Sequence, residues 1–77
     1  MLTVRYFGMI AEAIGKNSEQ LAFHEQSVED FIIQLKTNYP QLENKSFKLA
    51  VNQVIADENQ QLKINDEVAV LPPFSGG

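Results

Sequence analysis

At 77 residues the chain has room for one domain with a small core, and it contains no cysteine that would staple that core with a disulfide. Ten acidic residues against six basic ones leave a net charge of −4, a balance that argues against the clustered Lys and Arg that binding a nucleic-acid backbone requires. One histidine without cysteine argues against a transition-metal site. No apolar run approaches a membrane span, and Met1 leads straight into strand-like sequence without a signal-peptide pattern, so a soluble, cytoplasmic protein is expected.

Leu2 to Phe7 alternates with period two and is rich in β-formers, which predicts a strand with Leu2, Val4 and Tyr6 on the core face. Met9 to Ile14 reads as a short helical turn ended by Gly15. Ser18 to Phe23 reads as a second strand, with Leu21 and Phe23 inward, antiparallel to the first. Ser27 is a good helix N-cap, and Glu29 and Asp30 follow where negative charge suits the helix dipole. Val28, Phe31, Ile32, Leu35 and Tyr39 then form one apolar stripe, and Pro40 ends the helix at Asn38 or Tyr39.

Beyond the helix, Leu42 is the one anchor expected in a polar loop. Phe47 to Val51 predicts a third strand, Asn52-Gln53 a tight turn, and Val54 to Ala56 a short fourth strand. Leu62 and Ile64 read as isolated apolar anchors before a turn at Asn65-Asp66, and Glu67 to Leu71 as the last strand, with Val68 and Val70 inward. The order β-β-α-β-β-β with one amphipathic helix is an α+β, two-layer solution: a mixed sheet packed on one main helix. By analogy with that order, the first and last strands are expected to be parallel neighbours, which is the β-grasp, or ubiquitin-like, arrangement.

The body of the chain offers no active-site constellation. His24 stands alone in a loop, Asp57-Glu58 reads as a solvated turn, and the glycines form no phosphate-cradling loop. Asn52 is expected to bond its own turn backbone. The informative stretch is the end: an apolar strand, then Pro72-Pro73-Phe74-Ser75-Gly76-Gly77. Two prolines end a sheet and favour an extended exit, and two glycines fit where a Cβ would clash. Residues 72–77 are thus expected to be an extended, flexible tail with a reach of roughly 20 Å. The reactive group is the carboxylate of Gly77, a poor acyl donor until another protein activates it, most simply as an acyl-adenylate from ATP. Sulfide can then displace AMP and leave a thiocarboxylate. A sulfur carrier without cysteine must hold its sulfur there.

Ala50-Val51-Asn52-Gln53, Asn65-Asp66-Glu67-Val68-Ala69 and the Pro-Pro-x-Ser-Gly-Gly ending together resemble the small, sulfur-carrying subunits of molybdopterin synthases. The first strand into Phe7, Glu12 and Gly15 fit as well; Ala11 departs from the arginine often expected before that glutamate. The resemblance implies an E1-like activating enzyme that adenylates Gly77 with ATP, a sulfur donor, and insertion of the tail into a large synthase subunit. There the thiocarboxylate delivers sulfur to a cyclic pterin phosphate precursor. It further implies a heterotetramer, no cofactor or metal bound by this chain, and no catalysis by the chain alone. Gly76 and Gly77 are the expected reactive end. Phe7, Ile55, Leu71, Pro72, Pro73, Phe74 and Ser75 are the expected partner contacts. Alternation puts Phe7 and Leu71 on the outer face at one edge of the sheet, with Ile55 close enough to join them. The alternatives are a sulfur carrier for thiamine thiazole synthesis, a ubiquitin-like modifier, and an interaction domain with an inert tail.

Overall fold

A computed structural model describes residues 1–72. Five strands and two helices follow one another as β1 (Leu2–Tyr6), α1 (Gly8–Ile14), β2 (Ser18–Leu21), α2 (Val28–Asn38), β3 (Lys48–Val51), β4 (Val54–Ile55) and β5 (Glu67–Leu71), with one 3₁₀ turn at Pro40–Leu42. The sheet order is β2-β1-β5-β3-β4. β1 and β5 run parallel at its centre, with Val4 opposite Val68 and Tyr6 opposite Val70, and all other pairs are antiparallel. This is the expected β-grasp. No helix among the described residues is long and apolar enough to cross a membrane.

The core follows from the two periodicities. Leu2, Val4 and Tyr6 of β1, Leu49 and Val51 of β3, and Val68 and Val70 of β5 point to one face of the sheet and are buried there. Against that face α2 lays Val28, Phe31 and Leu35, each 1% exposed. Its cap is the one expected: the Asp30 amide donates to Ser27 Oγ at 3.1 Å. Leu42 and Leu62 close the two ends, and Ile10 of α1 plugs the side. Gly15 ends α1 in the left-handed conformation at φ 87°, its amide bonded back to the Ala11 carbonyl.

Three expectations need correction. Phe47 and Ala56 lie just outside β3 and β4, and β2 stops at Leu21, leaving Phe23 half-buried beyond it. Ile64 is not an anchor: it is 63% exposed. The cause is the turn that follows, where Asp66 accepts the Lys63 amide at 2.8 Å and Asn65 adopts φ 70°, so the segment loops outward at Ile64. The Asn52 side chain bonds outside its own turn, not to the turn backbone. The residue does sit at φ 51° in a two-residue hairpin loop with Gln53. Its side chain, however, donates to Asp66 at 3.0 Å and accepts from the Glu67 amide at 3.0 Å, tying the β3–β4 hairpin to the entry of β5.

Candidate functional site

The root of the tail is where β1 and β5 end side by side. The Phe7 amide donates to the Val70 carbonyl at 3.2 Å, so the parallel ladder runs on to the last residues before Pro72. The Phe7 carbonyl then turns inward and accepts the Ile10 and Ala11 amides, starting α1. Phe7 is thereby held through both main-chain groups while its ring, 44% exposed, stands on the outer face. Leu71 occupies the same face on the adjacent strand and is half-buried. Phe7 is not tucked into the core. Pro72 leaves beside Gly8: a Cβ built on Gly8 would lie 3.2 Å from Pro72 Cγ.

Ile55 lies on this outer face but not in the same row. It pairs with Ala50, which pairs with Ala69, whereas Leu71 pairs with Lys48. Phe7 and Leu71 therefore form one apolar spot, and Ile55, 50% exposed, a second one reached across Ala69 and Ala50. Pro73, Phe74, Ser75, Gly76 and Gly77 lie outside the described residues.

Behind the outer face sits a polar cluster that strand alternation alone does not reveal. Tyr6 and Tyr39 both donate their hydroxyls to Glu19 Oε2, Tyr39 at 2.6 Å, while Lys16 reaches Glu19 Oε1 at 3.2 Å. The two rings meet edge to face with centroids 6.2 Å apart. Burial alone would raise the Glu19 carboxyl. The hydrogen bonds from Tyr39, Tyr6 and Lys16 outweigh that and hold it below the usual carboxylate range. Burial, then the hydrogen bond to Glu19 and the Glu19 charge, pushes both tyrosines up, Tyr6 far above the ordinary phenol value. The cluster joins β1, β2, the α1–β2 turn and the end of α2, and so fixes the strand that presents Phe7. Glu19 lies two residues before inward-facing Leu21, a readable signal for its direction. That its partner is Tyr39, at the end of α2, the sequence does not reveal.

On the outer face Arg5 pairs with Glu67 across the β1–β5 ladder at 2.5 Å. Both side chains are well exposed, so the pair adds little stability. It does neutralise two charges next to Phe7.

The ThiS family profile matches residues 4–77. A molybdopterin synthase sulfur carrier subunit of Dictyostelium discoideum is 40% identical, over 92% of this chain and 90% of the relative. Among solved structures, a putative molybdopterin converting factor subunit 1 from Pyrococcus furiosus superposes with a TM-score of 0.86 at 24% identity, covering 94% of this chain and 95% of that one. A chain from the complex of subunits 1 and 2 of the Helicobacter pylori molybdopterin-converting factor superposes with a TM-score of 0.67 at 23% identity, covering 99% and 97%. At these identities the structural matches establish the fold alone.

Proposed function

The chain belongs to the ThiS family, and we propose that within it this protein is the sulfur-carrying subunit of a molybdopterin synthase. The single observation that carries this reading is the near full-length kinship with a curated sulfur carrier subunit of that synthase. The geometry supplies the physical side. A rigid parallel pair, β1 and β5, fixes where the tail leaves, and the apolar spot of Phe7 and Leu71 sits at its root.

The chemistry proposed for Gly77 starts from a carboxylate ionised at neutral pH, which resists nucleophiles. An activating enzyme joins it to the α-phosphate of ATP and releases pyrophosphate. The resulting acyl-adenylate has a good leaving group. A persulfide or sulfide donor then attacks the acyl carbon, AMP departs, and a persulfide donor needs a reducing thiol to free the thiocarboxylate. The large subunit receives the tail, and the thiocarboxylate gives its sulfur to a cyclic pterin phosphate precursor. Hydrolysis returns the carboxylate. The large subunit supplies the cationic pocket for an anionic substrate that this acidic chain lacks, in an assembly of two small and two large subunits. The protein works in the cytoplasm, where ATP and both partners meet. No cofactor is held by the chain itself; ATP belongs to the activating enzyme.

The test is to move the carboxylate. A chain with one alanine added after Gly77, and a chain lacking Gly77, are reconstituted with the activating enzyme, sulfur donor and large subunit. Both variants are expected to fold as the parent does, by circular dichroism, and to yield no molybdopterin. Product from the alanine-extended chain refutes the terminal-carboxylate mechanism. A mass increment on a second protein, rather than sulfur on this one, identifies a modifier instead.

A further inference from the structure

Beside the tail root one carboxylate is left without a counter-charge. A groove of about 450 Å³ runs between the end of β1, α1 and the start of β2, lined in part by Arg5, Phe7, Ala11, Glu12, Asn17 and Ser18. The nearby cations are already engaged: Arg5 with Glu67 at 2.5 Å, and Lys16, next to Asn17 in the turn, with Glu19 at 3.2 Å. Glu12 is exposed on α1, and its side chain makes no hydrogen bond or ion pair among the described residues. The groove thus offers an aromatic ring at Phe7, an unpaired carboxylate at Glu12, and the small Gly8 and Ala11 that leave room to reach both.

We infer that this groove receives an arginine side chain of the large synthase subunit, with the guanidinium stacked on Phe7 and bonded to Glu12. A planar guanidinium suits both partners at once, since it stacks on an aromatic face and bonds a carboxylate through two N–H groups. Two further observations support a protein partner here. The chain carries a net charge of −4, which draws a cationic surface. The groove is also continuous with the tail root, because Pro72 leaves beside Gly8 and Phe7 is bonded to Val70. A subunit that meets the chain at Pro72 therefore lies beside this groove. This inference rests on the proposed function, because it takes the large subunit as the occupant.

The experiment measures the affinity of the full chain for the large subunit by calorimetry at several salt concentrations. Glu12→Gln is expected to weaken binding about fivefold at low salt and to flatten the salt dependence. Glu12→Lys weakens it further. Replacing one arginine of the large subunit by glutamate then restores part of the affinity of the Glu12→Lys chain. Urea unfolding is expected to be the same for all three chains, because Glu12 holds nothing within its own fold. Affinities within about twofold of the parent, with an unchanged salt dependence, overturn the groove assignment while leaving the carrier reading intact. Weakening that no arginine replacement rescues overturns the arginine as occupant. Failure of the parent chain to bind the large subunit at all overturns both.

Discussion

Replacing Phe31 by alanine probes the whole arrangement of helix on sheet. Phe31 is the largest fully buried side chain among the described residues, 1% exposed, and it lies between Val28 and Leu35 in the α2 stripe that joins the core. Phe→Ala at such a site removes the transfer energy of the ring and leaves a cavity, roughly 3–5 kcal/mol together. A domain of 77 residues holds about 4–12 kcal/mol in total at typical per-residue stability. The substitution therefore removes between about a quarter and all of it. With a urea slope of about 1 kcal/mol/M, the midpoint falls by roughly 3–5 M. Ile33 is the internal control: two residues away on the same helix, it is 58% exposed, and Ile33→Ala is expected to change stability by no more than about 0.5 kcal/mol. Urea unfolding followed by circular dichroism reads both. Should Phe31→Ala be unfolded without denaturant, Phe31→Leu, expected to cost about 1.5 kcal/mol, takes its place. A loss below about 1 kcal/mol for Phe31→Ala, or an equal loss for Ile33→Ala, refutes the helix register.

Other substitutions test other joints. Asn52→Ala is expected to cost about 2 kcal/mol through its two lost hydrogen bonds and the φ of 51°, and Asn52→Gly less, because glycine relieves the strain; equal losses point to the hydrogen bonds alone. The Glu19 carboxyl is held low in the folded state, so it contributes stability that is present above its unfolded value of about 4.3 and is lost as pH falls through the folded value. Glu19→Gln should therefore flatten the acid limb of a plot of urea midpoint against pH, and an unchanged limb contradicts the cluster. Phe7→Ala is expected to weaken association with the large subunit while costing the fold no more than about 2 kcal/mol, given a half-exposed ring; loss of stability with unaltered affinity of the folded fraction assigns Phe7 to the core.

Much of the fold was legible because the sequence speaks in periodicities. Ser27, the acidic first turn, the stripe from Val28 to Leu35 and Pro40 define α2 almost without reference to anything else. The alternation in Leu2–Tyr6 and Glu67–Leu71 sorts inward from outward residues correctly and exposes Phe7. What local pattern cannot carry is who meets whom. That Tyr39 would bring its hydroxyl to Glu19 depends on how α2 crosses the sheet. That Asn52 would clasp Asp66 depends on β3 lying beside β5. Ile64 has an anchor's composition but a turn's position, and the hydrogen bonds of Asp66 decide between them. For the site, the outer-face placement of Phe7, Leu71 and Ile55 follows from strand parity. The separation of Ile55 from the other two follows only from register, which no single strand encodes.

Sulfur is proposed to travel on the terminal carboxylate of Gly77, and the mass of the intact chain reports whether it does. The chain is incubated with the activating enzyme, ATP and a sulfur donor, then weighed whole and after removal of its last residues. The expected result is a gain equal to the exchange of one oxygen for one sulfur, confined to the C-terminal glycine, dependent on ATP, and lost once the large subunit and the pterin precursor are added. An unchanged mass under conditions where the chain supports molybdopterin formation, or sulfur found anywhere but on Gly77, contradicts it.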